Sequence, residues 1–155
     1  TIEGVWRARF PCEDGSIHLH AYPATPETWL APDLAARQAR LREARRVVTG
    51  ALEVERREKR LGASLEAAPV IHLADPALRA EVEAADFAEL CIASAVTVTD
   101  APAPSDAFRL DDVPGVAVVP ARAAGAKCAR CWKVLPDVGT HAHPETCARC
   151  DAALG

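Results

Sequence analysis

The sequence predicts an α+β protein that consists of a long basic helix, a small antiparallel sheet with two short helices, and a four-cysteine ribbon. Three observations indicate this arrangement. Apolar residues recur with a period of about 3.6 through residues 34–61, which is typical of an amphipathic helix. Short apolar segments separated by turn residues follow between residues 70 and 119. Two Cys-x2-Cys pairs lie between residues 128 and 150.

Residues 1–33 are predicted to form an irregular lead-in segment, because four prolines interrupt them and residues 13–16 have the composition of a turn. Residues 16–20 are predicted to form a short strand that places His18 and His20 on one face. Such a pair could hold a metal, but we expect exposed strand histidines. Cys12 has no partner close to it in the sequence.

The long helix is predicted to span residues 34–61, with Asp33 as its N-cap and Gly62 as its stop signal. Gly50 is the weak point of this helix, since glycine costs about 1 kcal/mol relative to alanine in a helix interior. The residues predicted to form its buried stripe are Leu34, Leu41, Ala44, Val48, Ala51, Leu52 and Val54.

The long helix is rich in basic residues, although the chain as a whole has a formal net charge of −4. Residues 34–61 contain nine basic side chains against four acidic ones. A solvated helix face is one interpretation of this pattern, and a surface next to a polyanion is the other. The arginines of residues 37–46 are almost unopposed in sequence, which favours the polyanion. The helix residues predicted to contact it are Arg37, Arg40 and Arg45.

Residues 62–122 are predicted to form a small α/β junction domain. Its strands are short apolar or alternating segments, and turn residues separate them. We expect the strands to pair as an antiparallel sheet. The predicted strands are residues 70–73, 95–99 and 116–119.

Two short helices are predicted within this junction domain. Asp75 is expected to cap the first helix, with Pro76 at the first helical position. Asp86 and Glu89 form a capping-box pattern at the start of the second helix. The side chains that the second helix is expected to bury are Phe87, Leu90 and Cys91.

Residues 123–155 contain the paired cysteines and are predicted to form a zinc ribbon. Two residues between paired cysteines allow one tight turn, here called a knuckle, to direct both sulfurs at one point. Two knuckles supply a tetrahedron of thiolates for one structural Zn²⁺. Two disulfides are the alternative, and His141 or His143 could replace one thiolate. The spacing favours zinc bound by Cys128, Cys131, Cys147 and Cys150.

A closed shell of four thiolates leaves no open coordination position, so we predict a structural metal and no catalytic residue in this chain. Basic side chains surround the knuckles, and one tryptophan follows the first pair of cysteines. This combination suits nucleic acid, through phosphate contacts and base stacking. Trp132 could instead complete the small core of the ribbon. The ribbon residues predicted to bind nucleic acid are Arg130, Trp132, Lys133 and Arg149.

Three segments resemble bacterial isoleucyl-tRNA synthetases, in the same order. Residues 58–67, which end in Gly-Ala-Ser-Leu-Glu-Ala, resemble a helix end and turn of that family. Residues 127–150, with two Cys-Ala-Arg-Cys knuckles and an intervening Asp-Val-Gly, resemble its C-terminal zinc finger. Residues 16–23 resemble the segment that precedes the helix. The zinc motif is shared with formamidopyrimidine-DNA glycosylases, but Trp132 and the upstream Ser-Leu-Glu-Ala favour the synthetases.

The resemblance implies the C-terminal part of a class I isoleucine–tRNA ligase, which charges tRNA(Ile) with isoleucine. ATP and Mg²⁺ would act in a catalytic domain outside this chain, which contains no Met and therefore no Lys-Met-Ser-Lys-Ser loop. The basic helix and the ribbon would grip the anticodon stem-loop, so the implied nucleic acid is RNA.

The implied partners are tRNA(Ile) and upstream domains of the same synthetase, in a cytoplasmic monomer that does not contact a membrane. The C-terminal half of a glycosylase-like DNA-repair protein and a purely structural zinc module are the alternatives.

Overall fold

A computed structural model describes residues 2–10 and 16–155. These residues fall into two compact units that divide between residues 32 and 33. The first unit contains one helix and two 3₁₀ turns. The second contains both sheets and the remaining helices.

The first unit differs from the irregular structure that its prolines predict. Helix α1 spans Ile2–Arg9. The Trp6 ring centroid lies 4.6 Å from that of Phe10 and 5.3 Å from that of His20, in an edge-on arrangement with the histidine. These ring contacts pack α1 against the segment that follows it, and no periodic pattern in the sequence indicates them.

The predicted strand at residues 16–20 is wrong. Ile17–Leu19 forms a 3₁₀ turn, which begins where Ser16 Oγ accepts a hydrogen bond from the backbone N of His18 at 3.3 Å. A second 3₁₀ turn spans Glu27–Trp29. Cys12 and most of the turn predicted at residues 13–16 lie outside the described residues.

Helix α2 spans Pro32–Arg57 and confirms the long helix, and all of it except Pro32 belongs to the second unit. Asp33 lies in its first turn rather than at the N-cap. Leu34 is 53% exposed, against the prediction, and the first buried side chain of the helix is Leu41. The buried residues of α2 are Leu41, Ala44, Val47, Val48, Ala51 and Leu52.

Helix α2 ends before the predicted stop at Gly62. Lys59 adopts a left-handed conformation with a φ of 59°. The N–H of Arg60 donates to the carbonyl of Glu55 at 2.9 Å, which is the hydrogen bond of a Schellman C-cap with Lys59 in the place that glycine usually takes. The N–H of Gly62 donates to Glu66 Oε2 at 3.1 Å and so joins the helix end to the next turn.

The central sheet has the strand order β2-β1-β3. Strand β1 pairs antiparallel with β3 but parallel with β2, so the prediction of a purely antiparallel sheet is wrong. Two helices lie between β1 and β2 in the chain. They form the crossover that returns the chain to the end of the sheet where β1 starts, and parallel pairing requires such a connection. The strands are β1 (Val70–Leu73), β2 (Thr97–Thr99) and β3 (Val116–Val119).

The two connecting helices, α3 (Pro76–Glu83) and α4 (Phe87–Cys91), begin as predicted. The carboxylates of Asp75 and Asp86 each accept a hydrogen bond from the first turn of the following helix, at 2.9 and 3.2 Å. The Glu89 carboxylate contacts the ribbon instead of completing the predicted capping box.

Helix α4 buries Phe87 and Cys91 as predicted, whereas Leu90 is 38% exposed. Burial raises the pKa of the Cys91 thiol to about 12. A thiol that stays protonated in an apolar environment is unreactive, so Cys91 belongs to the core.

Gly50 of α2 lies against Phe108, which belongs to the loop between β2 and β3. A Cβ atom on residue 50 would lie 2.9 Å from the Phe108 ring. Two backbone hydrogen bonds of 2.9 Å between Phe108 and Val118 hold that part of the loop in place. Gly50 therefore makes room for an aromatic ring, and its cost in helix propensity is only part of its effect.

We expect Gly50→Ala to destabilise the second unit. Overpacking costs about 1–3 kcal/mol and exceeds the gain in helix propensity of about 1 kcal/mol, so the net loss should be roughly 1 kcal/mol. Urea unfolding followed by circular dichroism measures the change. In a Phe108→Ala background the same substitution should be stabilising. Stabilisation in the wild-type background would contradict the packing argument.

Candidate metal centre

The ribbon consists of a two-stranded hairpin and one short helix. Strand β4 (Ala126–Lys127) pairs antiparallel with β5 (Val134–Leu135), and the first knuckle forms the turn between them. The second knuckle opens α5 (Ala148–Ala152), whose N-cap is Cys147. A hairpin turn and a helix start therefore present the two cysteine pairs.

The four predicted ligand cysteines come together at one point. Their sulfur atoms all lie within 4.8 Å of one another, and the Sγ atoms of Cys131 and Cys147 are 3.7 Å apart. A tetrahedron with zinc–sulfur bonds of roughly 2.3 Å has an edge of about 3.8 Å, so this spacing fits one Zn²⁺. The cysteines in the part of the chain that the structure describes are all free.

The cluster is largely closed to solvent, since only Cys131 is partly exposed. The N–H of Cys147 donates to the Cys128 sulfur at 3.4 Å. Burial opposes ionisation of Cys128, but hydrogen bonds from backbone N–H groups of both knuckles outweigh it and lower the pKa of Cys128 to about 6. One thiolate is therefore available at neutral pH.

The pKa of the neighbouring Cys147 thiol shifts in the opposite direction to that of Cys128. Burial, followed by hydrogen bonds with the other thiols, raises the pKa of Cys147 to about 11. Several negative charges in one small buried volume repel one another, so a cation is needed to ionise the whole set. A metal ion binds to such a site as the thiol groups release their protons.

His141 and His143 do not belong to the cysteine cluster. Their ring nitrogens lie 3.0 Å from Asp137 Oδ2 and 2.8 Å from Asp151 Oδ1. Asp137 Oδ2 also accepts a hydrogen bond of 2.7 Å from the N–H of Ala148, and this bond is the main reason why the pKa of Asp137 is lowered. The histidine–carboxylate pairs therefore hold the loop and the start of α5.

The predicted RNA-binding arginines of α2 are opposed by groups from α3 and α4. Arg40 forms an ion pair with Glu81, and a guanidinium nitrogen of Arg37 lies 3.5 Å from the Glu81 carbonyl oxygen. Arg45 donates to the carbonyl of Leu90. Within residues 37–46, carboxylates oppose Arg40 and Arg46, whereas the other arginines contact carbonyl oxygens. Contact of these arginines with RNA stays a prediction.

Three predicted RNA-binding residues of the ribbon also contact protein groups. Lys133 Nζ and Arg149 Nη1 lie 2.8 and 2.9 Å from the same atom, Glu89 Oε1. Arg130 Nη1 lies 3.7 Å from Cys150 Sγ. The Lys133 side chain is only 14% exposed, whereas Arg130 and Arg149 are exposed. RNA binding by these residues stays a prediction.

Trp132 is 60% exposed, so it does not complete the ribbon core. Its backbone is left-handed, with a φ of 68°, and its N–H donates to the carbonyl of Cys128 at 3.0 Å. The indole therefore projects from the closed turn of the first knuckle. Lys127 Nζ lies 4.7 Å from the centroid of the ring, within the range of a cation–π contact.

Sequence reasoning misses Ser94, which joins the ribbon to the junction domain. Ser94 is 5% exposed. Its Oγ accepts a hydrogen bond from the N–H of Val134 at 2.7 Å and donates to the carbonyl of Leu65. The bonded residues lie 40 and 29 positions away in the chain, so no local motif marks this serine.

A family model described as "Zinc finger found in FPG and IleRS" matches residues 125–153. These residues are a zinc finger of the FPG and IleRS type. Relatives named isoleucine--tRNA ligase match the chain well beyond the zinc finger. The relative from Ruegeria pomeroyi is 54% identical over 155 residues, which cover 100% of this chain and 16% of that protein.

Two further isoleucine--tRNA ligases, from Brucella abortus and Bartonella henselae, are 52% and 48% identical over 99% of this chain. Each match covers 16% of the relative, so the chain spans about a sixth of the length of these proteins. The resemblance that the sequence motifs indicate is thereby confirmed. The zinc finger and its cluster of four thiols support a structural zinc. Each described helix is too short or too polar to cross a lipid bilayer.

We expect the purified chain to contain one zinc ion. Cys128→Ser should lose the metal and unfold the zinc finger while α2 stays helical, because metal binding and local folding are one event in such a small module. Elemental analysis and circular dichroism measure the two effects. Cys91→Ser is the matched control and should retain zinc. Full zinc content in Cys128→Ser would contradict this assignment.

Zinc removal should change which cysteines react with iodoacetamide at pH 8. In the zinc-loaded chain the four finger cysteines should be protected, and a chelator should expose all four. Cys91 should stay unmodified in both forms, because burial raises its pKa to about 12. Peptide mass mapping assigns each modification. Alkylation of Cys91 as fast as that of the finger cysteines would show that the core opens.

Proposed function

We propose that the chain is the C-terminal, tRNA-binding part of a class I isoleucine–tRNA ligase, which charges tRNA(Ile) with isoleucine using ATP. The observation that carries this proposal is the match of the whole chain to proteins named isoleucine--tRNA ligase, at 54% identity in one case. ATP and Mg²⁺ would then bind in other domains, and this chain would contribute no catalytic residue. Its metal would be structural, since four thiolates close the coordination shell.

A DNA-repair protein similar to formamidopyrimidine-DNA glycosylase is the second candidate, because the finger type is shared with FPG proteins. The similarity to the ligases extends over the α2 helix and the sheet, outside residues 125–153, which favours the ligase. A purely structural zinc module is the third candidate. The exposed Trp132 ring favours a binding role over that one.

The first knuckle has the features of a small RNA-binding surface. Trp132 offers an exposed aromatic face on which an unpaired base can stack. Lys127 and Arg130 are exposed on either side of Cys128 and can contact phosphates. Arg130 has a sulfur as its hydrogen-bond partner, so it keeps guanidinium donors for a phosphate. We propose that Lys127, Arg130 and Trp132 together contact the anticodon loop.

Lys133 and Arg149 would contribute less to RNA binding, because both already pair with Glu89. The same argument applies to Arg40, which pairs with Glu81. A phosphate would have to compete with these carboxylates. In this proposal the arginines of α2 chiefly hold the helix on the junction domain, and the zinc finger carries the contact with RNA.

The proposed ligase would act in the cytoplasm as a monomer. Its partners would be the anticodon stem-loop of tRNA(Ile) and the upstream domains of the same polypeptide.

We expect Trp132→Ala to weaken binding of tRNA(Ile) by roughly 1–3 kcal/mol, the usual contribution of one stacked base. Arg130→Gln should reduce the slope of log affinity against log salt by about 0.7–0.9, the loss of one phosphate contact. Filter binding at several salt concentrations, with the ligase that contains this chain, measures both effects. A DNA duplex as the probe tests the glycosylase alternative.

Trp29→Ala and Arg57→Gln are matched controls, since both side chains are exposed and lie outside the zinc finger. Both should bind tRNA(Ile) as the unmodified protein does. Unchanged affinity and salt slope in a Trp132→Ala, Arg130→Gln double variant that retains zinc would exclude the first knuckle as the RNA contact. Tighter binding of the DNA duplex than of tRNA would favour the glycosylase.

A further inference from the structure

One carboxylate oxygen outside the zinc finger contacts basic residues associated with both of its knuckles. Glu89 lies in α4, and its Oε1 atom is 2.8 Å from Lys133 Nζ and 2.9 Å from Arg149 Nη1. Lys133 follows the first knuckle, and its carbonyl accepts the N–H of Cys128 at 2.9 Å. Arg149 lies inside the second knuckle, between its two cysteines. Glu89 therefore joins the two halves of the metal site from outside.

The contact with Lys133 is partly shielded from solvent. The Lys133 side chain is 14% exposed, and Glu89 is 43% exposed. The pKa of Glu89 is lowered, first by its hydrogen bond to Lys133 and also by Arg149. The carboxylate is therefore charged at neutral pH and pairs with both cations.

Both cations stand next to the metal ligands. Lys133 lies two residues after Cys131, and Arg149 directly precedes Cys150. Arg130 of the first knuckle contacts a ligand of the second, with its Nη1 atom 3.7 Å from Cys150 Sγ. The first knuckle is thus joined to the second by Arg130, and Arg149 of the second knuckle is joined to Glu89.

The neighbouring strand is fixed to the same part of the junction domain. Ser94 follows α4, and its Oγ accepts the N–H of Val134 in β5 at 2.7 Å. Val134 is next to Lys133 in the chain, so backbone and side-chain contacts hold this segment against the region around α4. The orientation of the first knuckle relative to Glu89 is therefore set at two points.

We propose that Glu89 is a positioning residue of the metal centre, which holds the two knuckles together through Lys133 and Arg149 and thereby slows loss of the metal. Partners of this kind orient the metal ligands without touching the metal. The proposal extends the metal site beyond residues 125–153 and does not depend on whether the chain binds tRNA.

The charge of the Glu89 carboxylate, considered without any effect on position, would weaken metal binding rather than strengthen it. A zinc ion with four thiolates has a net charge of −2, and a nearby carboxylate disfavours that state. Removal of the Glu89 charge without any effect of position would therefore tighten metal binding. This difference in sign separates the positioning role from simple electrostatics.

The test measures the rate at which the zinc-loaded 155-residue chain transfers its metal to an excess of chromophoric chelator. Glu89→Gln should accelerate transfer by about 10-fold, the lower end of the range for residues that support metal ligands, because the contact is partly solvent-exposed. Glu83→Gln, which makes the same chemical change at an exposed residue of α3, should leave the rate unchanged. The N-terminal cap of α4 survives in Glu89→Gln, because Asp86 bonds only the backbone N–H of residue 89.

A mutant cycle shows whether the effect passes through the two cations. Lys133→Gln with Arg149→Gln removes the same contacts from the zinc-finger side and should accelerate transfer to a similar extent. Adding Glu89→Gln to that double variant should have no further effect. The cobalt-substituted forms should keep the thiolate charge-transfer spectrum of a four-sulfur site, since the ligand set does not change.

Three results would overturn the proposal. They are a wild-type or slower transfer rate in Glu89→Gln, an acceleration that persists in the Lys133→Gln, Arg149→Gln background, and an equal acceleration in Glu83→Gln. If Glu89→Gln did not fold, a wild-type transfer rate in the double glutamine variant would overturn it as well.

Discussion

The zinc finger depends on one constraint, which is that four thiol groups must share a single cation before so few residues can fold. Its buried apolar cluster consists of Cys128, Cys147 and Cys150. The partly buried Cys131, Leu135 and Val138 pack against this cluster. An apolar core of this size cannot offset the conformational entropy of the segment, so metal–thiolate bonds must stabilise it. The hairpin, the short helix and the direction of the exposed indole all follow from where the sulfurs must point.

Opposite charges within the chain decide how much of its basic character is available to a partner. Arg46, for example, pairs with both Glu43 and Asp112, and Arg60 lies 2.7 Å from Glu55. Each exposed pair contributes only about 0–1 kcal/mol. Together such pairs orient α2 and occupy guanidinium groups that look free in the sequence. Local charge counts therefore overstate the potential that a polyanion would meet at this helix.

Features that depend on a few adjacent residues could be predicted from the sequence. The two knuckles, the Asp75 and Asp86 caps and the apolar period of α2 all belong to this class, because their geometry is set within one or two turns of chain. The parallel pairing of β1 with β2, the ion pair of Arg40 and the Ser94 contacts could not be predicted. Each of these depends on which distant segments pack together.

Two errors have more local causes. The histidines near residue 18 alternate with apolar residues as in a strand, but a serine hydroxyl bonds the backbone two residues later and forms a turn instead. Lys59 takes a left-handed conformation that the sequence leads one to assign to Gly62. In both cases a hydrogen-bonded turn forms in place of the structure that the residue types favour, which is a strand near residue 18 and a helix stop at the glycine of residue 62.

The left-handed backbone of Trp132 has a consequence for any flat molecule that approaches the first knuckle. The turn that Cys128 closes fixes the backbone from which the indole projects. A ring carried by a fixed turn loses less conformational freedom on binding than one carried by a mobile loop does. Lys127 lies over one face of the indole, so the opposite face is the one left for a planar guest. The zinc finger thus offers one accessible face of an aromatic ring, and the ammonium group of Lys127 lies against the other face.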